Sequence, residues 1–248
     1  MSVEGFRFAS WLPFLKSMFG SVPEEKAYFT PFAVFLGFLA LNEFVSKIFD
    51  GIAGPWWVSE ARLWVFPLQT LVCGWLLFRW WRQYQLKLPT LRATAVATGL
   101  GILVLALWVA PQVWFGVPAR LEGFDPTYFG TSGWAFGLTV GLRFIRLAIV
   151  VPLVEEIFWR GYLLRFFVAE PFNSVPVGAF SWRSFGIVTA GFCLEHQPAD
   201  WPAAILAGAL YNLVAYRTRS LSACVLAHAV TNLLLGLFVI RTGQWGFW

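Results

Sequence analysis

Charge is the first thing this chain lacks. Only 12% of its 248 residues are Asp, Glu, Lys or Arg, where a soluble domain carries about 25%, so an ordinary water-soluble globule is excluded. The basic residues are scattered over short segments and not gathered into a patch, which removes a nucleic-acid footprint. Three cysteines, Cys73, Cys193 and Cys224, lie inside apolar runs with no CxxC or metal-finger spacing; they read as small core residues, and no disulfide framework follows. HExxH is absent, as are internal repeats and low-complexity stretches. The first twenty residues, Met1 to Gly20, contain Arg7 and a Phe/Trp/Leu-rich stretch but no apolar core followed by a small-residue cleavage site. That segment is expected to lie as an interfacial amphipathic helix and not to act as a cleaved signal.

What is present is apolar. Hydrophobic residues make up 58% of the chain and the mean hydropathy is +0.67. Aromatics are 19%, with 15 Trp, many of them beside the ends of apolar runs (Trp56, Trp57, Trp80, Trp81, Trp114) as in an interfacial belt. A membrane crossing needs about 20 apolar residues. Runs at about 28–48, 63–81, 93–115, 133–168, 184–196, 201–216 and 221–240 predict an all-α, polytopic transmembrane helix bundle of about seven spans. One domain, 1–248, accounts for the length, with 1–27 as the interfacial segment. The run 133–168 is too long for one perpendicular crossing, and Pro152 is a candidate kink. Arg79, Arg82, Lys87 and Arg92, then Arg165 and Arg183, then Arg217 and Arg219 fall on alternate connections. The positive-inside rule puts these connections and the N-terminus in the cytoplasm.

Against this background a few polar groups stand out. Glu155 and Glu156 are adjacent within an apolar run, where an ionised group costs several kcal/mol unless paired or wetted. Glu156 and Arg160 are four apart, acid first, the favourable order for an i,i+4 pair. Glu155 points about 100° away from that pair. This makes Glu156–Arg160 a strut and Glu155 the group held for chemistry. The chain has only two histidines, and both are in apolar segments. His196 follows Phe192 by four residues and Asn232 follows His228 by four, so each pair is expected to share a helix face. A carboxylate in a low-dielectric cavity can act as general base on water, and an imidazole can share the proton. A His/Asn pair can supply N–H donors for the oxyanion of an acyl-transfer intermediate. The set suits water-mediated acyl hydrolysis without a cofactor. Three other readings stay open: Glu155, His196 and His228 as metal ligands, a Cys224–His228 thiol dyad, and a non-catalytic membrane scaffold or immunity-type protein.

Glu155-Glu156-x-x-x-Arg160, Phe192-x-x-x-His196 and His228-x-x-x-Asn232, in this order, resemble the three motifs of the CPBP (Abi) family, which comprises type II CAAX prenyl endopeptidases (Ras-converting enzymes) and bacteriocin-processing proteins. The resemblance covers about 133–240, the motif-bearing core. It implies an intramembrane glutamic endopeptidase in which Glu155 activates water aided by His196, His228 and Asn232 form the oxyanion hole, and Glu156 with Arg160 holds the site, with neither metal nor cofactor. It also implies membrane lipid and a membrane-anchored or lipidated peptide or protein as partners, no nucleic acid, and a multi-pass protein of the bacterial inner membrane. Size and content are further similar to the CAAX-protease-related proteins of exosortase systems. Glu195 departs from the motif, since that position is usually small or apolar. On a continuing helix it points away from His196.

Overall fold

The computed structural model describes residues 23–49 and 55–248, and among them there is helix and no β-strand. The expected interfacial helix over Met1 to Gly20 lies outside the described residues; residues 23–27 open the first helix. Seven principal helices follow: α1 (Pro23–Ile48), α2 (Arg62–Arg79), α3 (Leu91–Trp114), α4 (Gly133–Phe166), α5 (Trp182–Leu194), α6 (Trp201–Thr218) and α7 (Leu221–Thr242). They fall where the seven apolar runs lie. Four of them (α1, α3, α4 and α7) are long and apolar enough to cross a membrane. The expected count of seven spans therefore includes three helices that fall short of that measure. The shortest, α5, has 13 residues and rises roughly 20 Å, against a hydrocarbon core of about 30 Å.

Local chemistry sets the helix starts. Thr90, Ser181 and Ser220 precede α3, α5 and α7, and each side-chain oxygen accepts a hydrogen bond from the backbone N–H three residues on, satisfying one of the orphan donors of a first turn. The outward faces carry Phe78, Leu71 and Trp134, exposed by 80, 69 and 82%. Such side chains suit lipid contact and would be a liability in water.

Between helices the packing is close. The α7 helix lies along α3 over its most extensive contact and also touches α4 and α6. At Gly101 a Cβ would come within 2.4 Å of the Ala227 carbonyl oxygen, so only glycine allows this approach. The Thr231 hydroxyl donates to the Gly101 carbonyl at 2.8 Å and fixes the register. This is the small-residue, hydroxyl-bridged contact by which helices associate in lipid.

The long helix α4 is uninterrupted but not uniform. Arg146–Val150 and Ile157–Leu163 are π-helical, and Val151–Glu156 between them is α-helical. Pro152, expected to kink the run, sits just after the first widened stretch. A proline has no N–H to give and its ring crowds the preceding turn; an i→i+5 stretch there accommodates both. Arg143, Arg146, Glu155, Glu156 and Arg160 are all buried along this one helix.

Candidate active site

The strut predicted from the sequence forms. Arg160 Nη1 donates to Glu156 Oε1 at 3.0 Å, both side chains being fully buried. Arg160 Nε donates to Asn212 Oδ1 at 3.0 Å and Nη2 to the Gly208 carbonyl at 2.9 Å, both on α6. Asn212 Nδ2 passes the chain on to Thr189 Oγ1 of α5 at 3.1 Å. The guanidinium also lies over the rings of Phe192 and Tyr211, 4.9 and 5.3 Å from their centroids. One buried cation therefore ties α4 to α6 with two charge-assisted hydrogen bonds, the stronger kind in a low-dielectric interior, and reaches α5 through the Phe192 ring and the Asn212–Thr189 bond.

Glu156 has a second partner. His228 Nδ1 lies 3.0 Å from the same Oε1, and Nε2 lies 3.9 Å from Glu155 Oε2. An ionised carboxylate only accepts, so the Nδ1 proton belongs to the bond with Glu156. The imidazole is stacked on Tyr211 with centroids 5.0 Å apart and planes 23° apart. One turn further along α7, Asn232 Nδ2 donates to the Leu147 carbonyl at 3.0 Å, which commits one of its amide hydrogens.

Glu155, Glu195, His196, His228 and Asn232 all line one cavity of about 240 Å³, with Phe192 and Trp108 among its apolar walls. The four residues expected to carry chemistry, Glu155, His196, His228 and Asn232, are thus brought together, and Glu156 and Arg160 lie behind them. Glu155 and His196 line the same cavity, with α4 continuing beyond Arg160 to Phe166 and α5 stopping at Leu194.

The early stop of α5 corrects the expectation for Glu195. A helix that runs on through this residue turns it away from His196. It ends at Leu194, Glu195 is the C-cap, and the His196 N–H bonds the Cys193 carbonyl at 3.1 Å in a tightened last turn. Glu195 and His196 therefore both face the cavity. Trp159 Nε1 donates to Glu195 Oε2 at 3.0 Å, and Glu195 Oε1 lies 3.9 Å from His196 Nδ1. His196 Nδ1 lies 2.8 Å from the Phe192 carbonyl; the carbonyl can only accept, so Nδ1 carries the hydrogen and Nε2 of the neutral ring is left with a lone pair. Glu155 Oε2 and Glu195 Oε1 have no hydrogen-bond partner among the described residues.

Two arginines that the sequence reading passed over also line the cavity, Arg143 and Arg146. Their signal was available: charges in an apolar run are costly for any sign. No group of three or more His, Cys, Asp or Glu among the described residues is arranged to hold a metal ion.

Residues 137–234 match the family described as type II CAAX prenyl endopeptidase Rce1-like. No curated protein and no solved structure matches the chain. The matched stretch contains all three motifs and runs from the first half of α4 into α7. Together, the match and the long apolar helices mark the protein as a helical integral membrane protein whose residues 137–234 are similar to the Rce1-like, type II CAAX prenyl endopeptidase family.

Proposed function

We propose that the protein is a multi-pass glutamic endopeptidase that hydrolyses a peptide bond of a membrane-anchored or lipidated substrate with water activated by Glu155. The observation that carries this reading is the state of Glu155. It is a buried carboxylate in a polar-lined cavity, one oxygen has no donor among the described residues, and an imidazole nitrogen lies 3.9 Å away. A water bound there would lose its proton to Glu155 as its oxygen attacks the scissile carbonyl carbon. The proton then passes to the departing amine nitrogen as the C–N bond breaks. His196, whose Nε2 lone pair is left available, shares that proton. Asn232 donates an N–H to the tetrahedral oxyanion. His228 joins it through Nε2 only when its ring is doubly protonated, because the Nδ1 hydrogen is already committed to Glu156.

Glu195 enters the site beside the four residues named from the sequence. A proton held between Glu155 and Glu195 turns the repulsion of two buried anions into a hydrogen bond. Glu156 and Arg160 carry no bond-making role; they set the position of His228. The whole chain acts as one membrane-embedded unit, with 133–240 as its catalytic core, and the bacterial inner membrane is its proposed location.

The test is turnover of a quenched-fluorescent lipidated peptide by the purified protein in detergent. Glu155→Gln is expected to lower kcat by about 10²–10⁴, as removal of a general base does, with a chelator leaving wild-type turnover unchanged. Turnover that survives Glu155→Gln would sink the assignment, and chelator inhibition reversed by zinc would favour the metal reading.

A further inference from the structure

The basic connections that alternate along the chain gather at one end of the bundle and line two adjoining cavities there. One, of about 870 Å³, holds Arg82 and Lys87 from the α2–α3 connection, Arg165 from the end of α4 and Arg219 from the turn before α7. The other is a groove of about 600 Å³ between α3 and α6, with Arg92 and Arg217 on its walls. Thr90, Ala93 and Thr218 line both. A topology signal needs only short basic loops; it does not require them to enclose a cavity.

The charges there are unbalanced. Among the described residues lining the two cavities the only acid is Glu24, and Asn173 Nδ2 already donates to it at 2.5 Å. Arg165 is committed, with its donors on the Val175, Gly161 and Asn173 carbonyls at 2.6, 3.0 and 3.1 Å. The side chains of the other five cations make neither an ion pair nor a hydrogen bond among the described residues. Thr90 and Ser220, the caps of α3 and α7, also line the larger cavity, so two helix N-termini open on it. Each hydroxyl oxygen accepts from its own helix, which leaves the hydroxyl hydrogen to give. Positive helix ends, hydroxyl donors and five unpaired cations together favour a phosphate.

The groove shows what carries that phosphate. Its floor is apolar, with Val96, Leu100 and Leu213, and a Cβ added at Gly99 meets nothing within 4 Å, so the space is open. Leu88, on the larger cavity, and Leu91, at the start of α3, are 98 and 87% exposed. Leucines so placed suit acyl chains and not water. A free phosphate or an acidic peptide would leave the groove and these leucines uncovered, whereas an anionic head on an apolar tail covers both.

We infer that this end of the bundle binds an anionic glycerophospholipid, with its phosphate at Arg92, Arg217 and the cations of the larger cavity and one acyl chain in the α3–α6 groove. The positive-inside rule sets this end at the cytoplasmic leaflet, where anionic lipid attracts basic side chains. Because Ser220 caps α7 and α7 carries His228 and Asn232, the lipid braces the helix of the candidate site at its first turn. The inference is read by binding and does not depend on the role of Glu155.

In the test, full-length protein in a mild detergent, freed of co-purified lipid, is titrated with dioleoylphosphatidylglycerol, dioleoylphosphatidylcholine and glycerol 3-phosphate. Bound lipid is counted by native mass spectrometry, and the thermal unfolding midpoint is followed alongside. Wild type is expected to bind phosphatidylglycerol about 30-fold more tightly than phosphatidylcholine, the scale of two basic side chains at a lipid surface. Glycerol 3-phosphate, which has no chain to bury, should bind at least about tenfold more weakly than phosphatidylglycerol. Arg92→Gln with Arg217→Gln should bring phosphatidylglycerol to the level of phosphatidylcholine, while Arg92→Lys with Arg217→Lys keeps most of the preference. Gly99→Phe, which fills the groove, should weaken both lipids about fivefold or more and leave the lipid-free midpoint unchanged. Arg79→Gln with Arg183→Gln removes the same charge from the same end but outside both cavities, and should leave the affinity within about twofold of wild type. Equal affinity of wild type for the two lipids overturns the site. So does an equal loss in the Arg79/Arg183 and Arg92/Arg217 variants, which assigns the preference to general surface charge. Glycerol 3-phosphate bound as tightly as phosphatidylglycerol, or Gly99→Phe protein that holds both lipids as wild type does, takes the acyl chain out of the groove and overturns the lipid.

Discussion

The buried knot of Glu156, Arg160 and His228 sets up a double-mutant cycle whose outcome distinguishes a charge pair from a packing contact. Arg160→Met keeps the length and apolar stem of the side chain. It removes the donors to Glu156, Asn212 and Gly208 that lie at 3.0, 3.0 and 2.9 Å. Breaking a buried pair costs about 3–5 kcal/mol because the remaining ion is uncompensated. Each orphaned neutral acceptor adds about 1–3 kcal/mol. The single variant should therefore lose about 5–11 kcal/mol, a large part of the 5–15 kcal/mol of a typical fold. Glu156→Gln keeps an acceptor for Arg160 and His228 but strands the cation, at about 3–5 kcal/mol. In the double variant neither ion is stranded, so it should cost less than the sum of the singles by about 2–3 kcal/mol. The assay is SDS-induced or thermal unfolding of the purified protein in one detergent, followed by tryptophan fluorescence. Costs that add to within about 0.5 kcal/mol would show that the two side chains do not act as an ion pair and would refute the strut.

Three further outcomes are expected. Glu195→Gln keeps the acceptor for Trp159 Nε1, bonded at 3.0 Å, but takes away the carboxyl group that shares a proton with Glu155; kcat should fall roughly 10- to 100-fold, near the lower end for a proton-handling group, and an unchanged kcat would remove Glu195 from the site. Gly101→Leu forces a side chain against the Ala227 carbonyl, where even a Cβ would be 2.4 Å away; a loss of about 1–3 kcal/mol or more from overpacking should appear in the unfolding midpoint together with reduced turnover, since α7 carries His228 and Asn232. Cys224, buried with its thiol donating to the Ser220 carbonyl at 3.3 Å, should tolerate Ala with kcat/KM changed by no more than about twofold, as a volume-reducing swap off the reacting atoms; loss of turnover with intact folding would revive the thiol dyad.

Much of the site was legible because lipid makes polar groups conspicuous. Glu155, Glu156 and Arg160 stood out as charges in an apolar run, and their four-residue spacing fixed which of them pair. The helix positions were legible for the same reason, since the apolar runs coincide with the seven helices. What local sequence does not carry is where a helix stops in three dimensions. Nothing in Phe-Cys-Leu-Glu-His marks Leu194 as the last residue of α5, because no Gly or Pro occurs between Leu194 and Pro198. The orientation of Glu195 depends on that stop. Asn212 and Gln69 were illegible for a different reason: an amide in an apolar helix has many candidate partners, and only the fold selects Arg160 for the one and Arg146 for the other.

The shortness of α5 has a consequence for the bilayer itself. A helix of 13 residues that turns back through Glu195, His196, Gln197 and Asp200 sets polar backbone and side chains inside a thickness that the neighbouring α3 and α7, with 24 and 22 residues, are long enough to cross. With α5 and α6 seated beside those crossings, the lipid along that flank is expected to thin or let water in, at a fraction of a kcal/mol per ångström of mismatch. A hydrolase surrounded by hydrocarbon has to import its second reactant, and this local dent in the membrane is a supply route for it. Catalytic rate should therefore follow acyl-chain length, falling in thick bilayers as the dent closes.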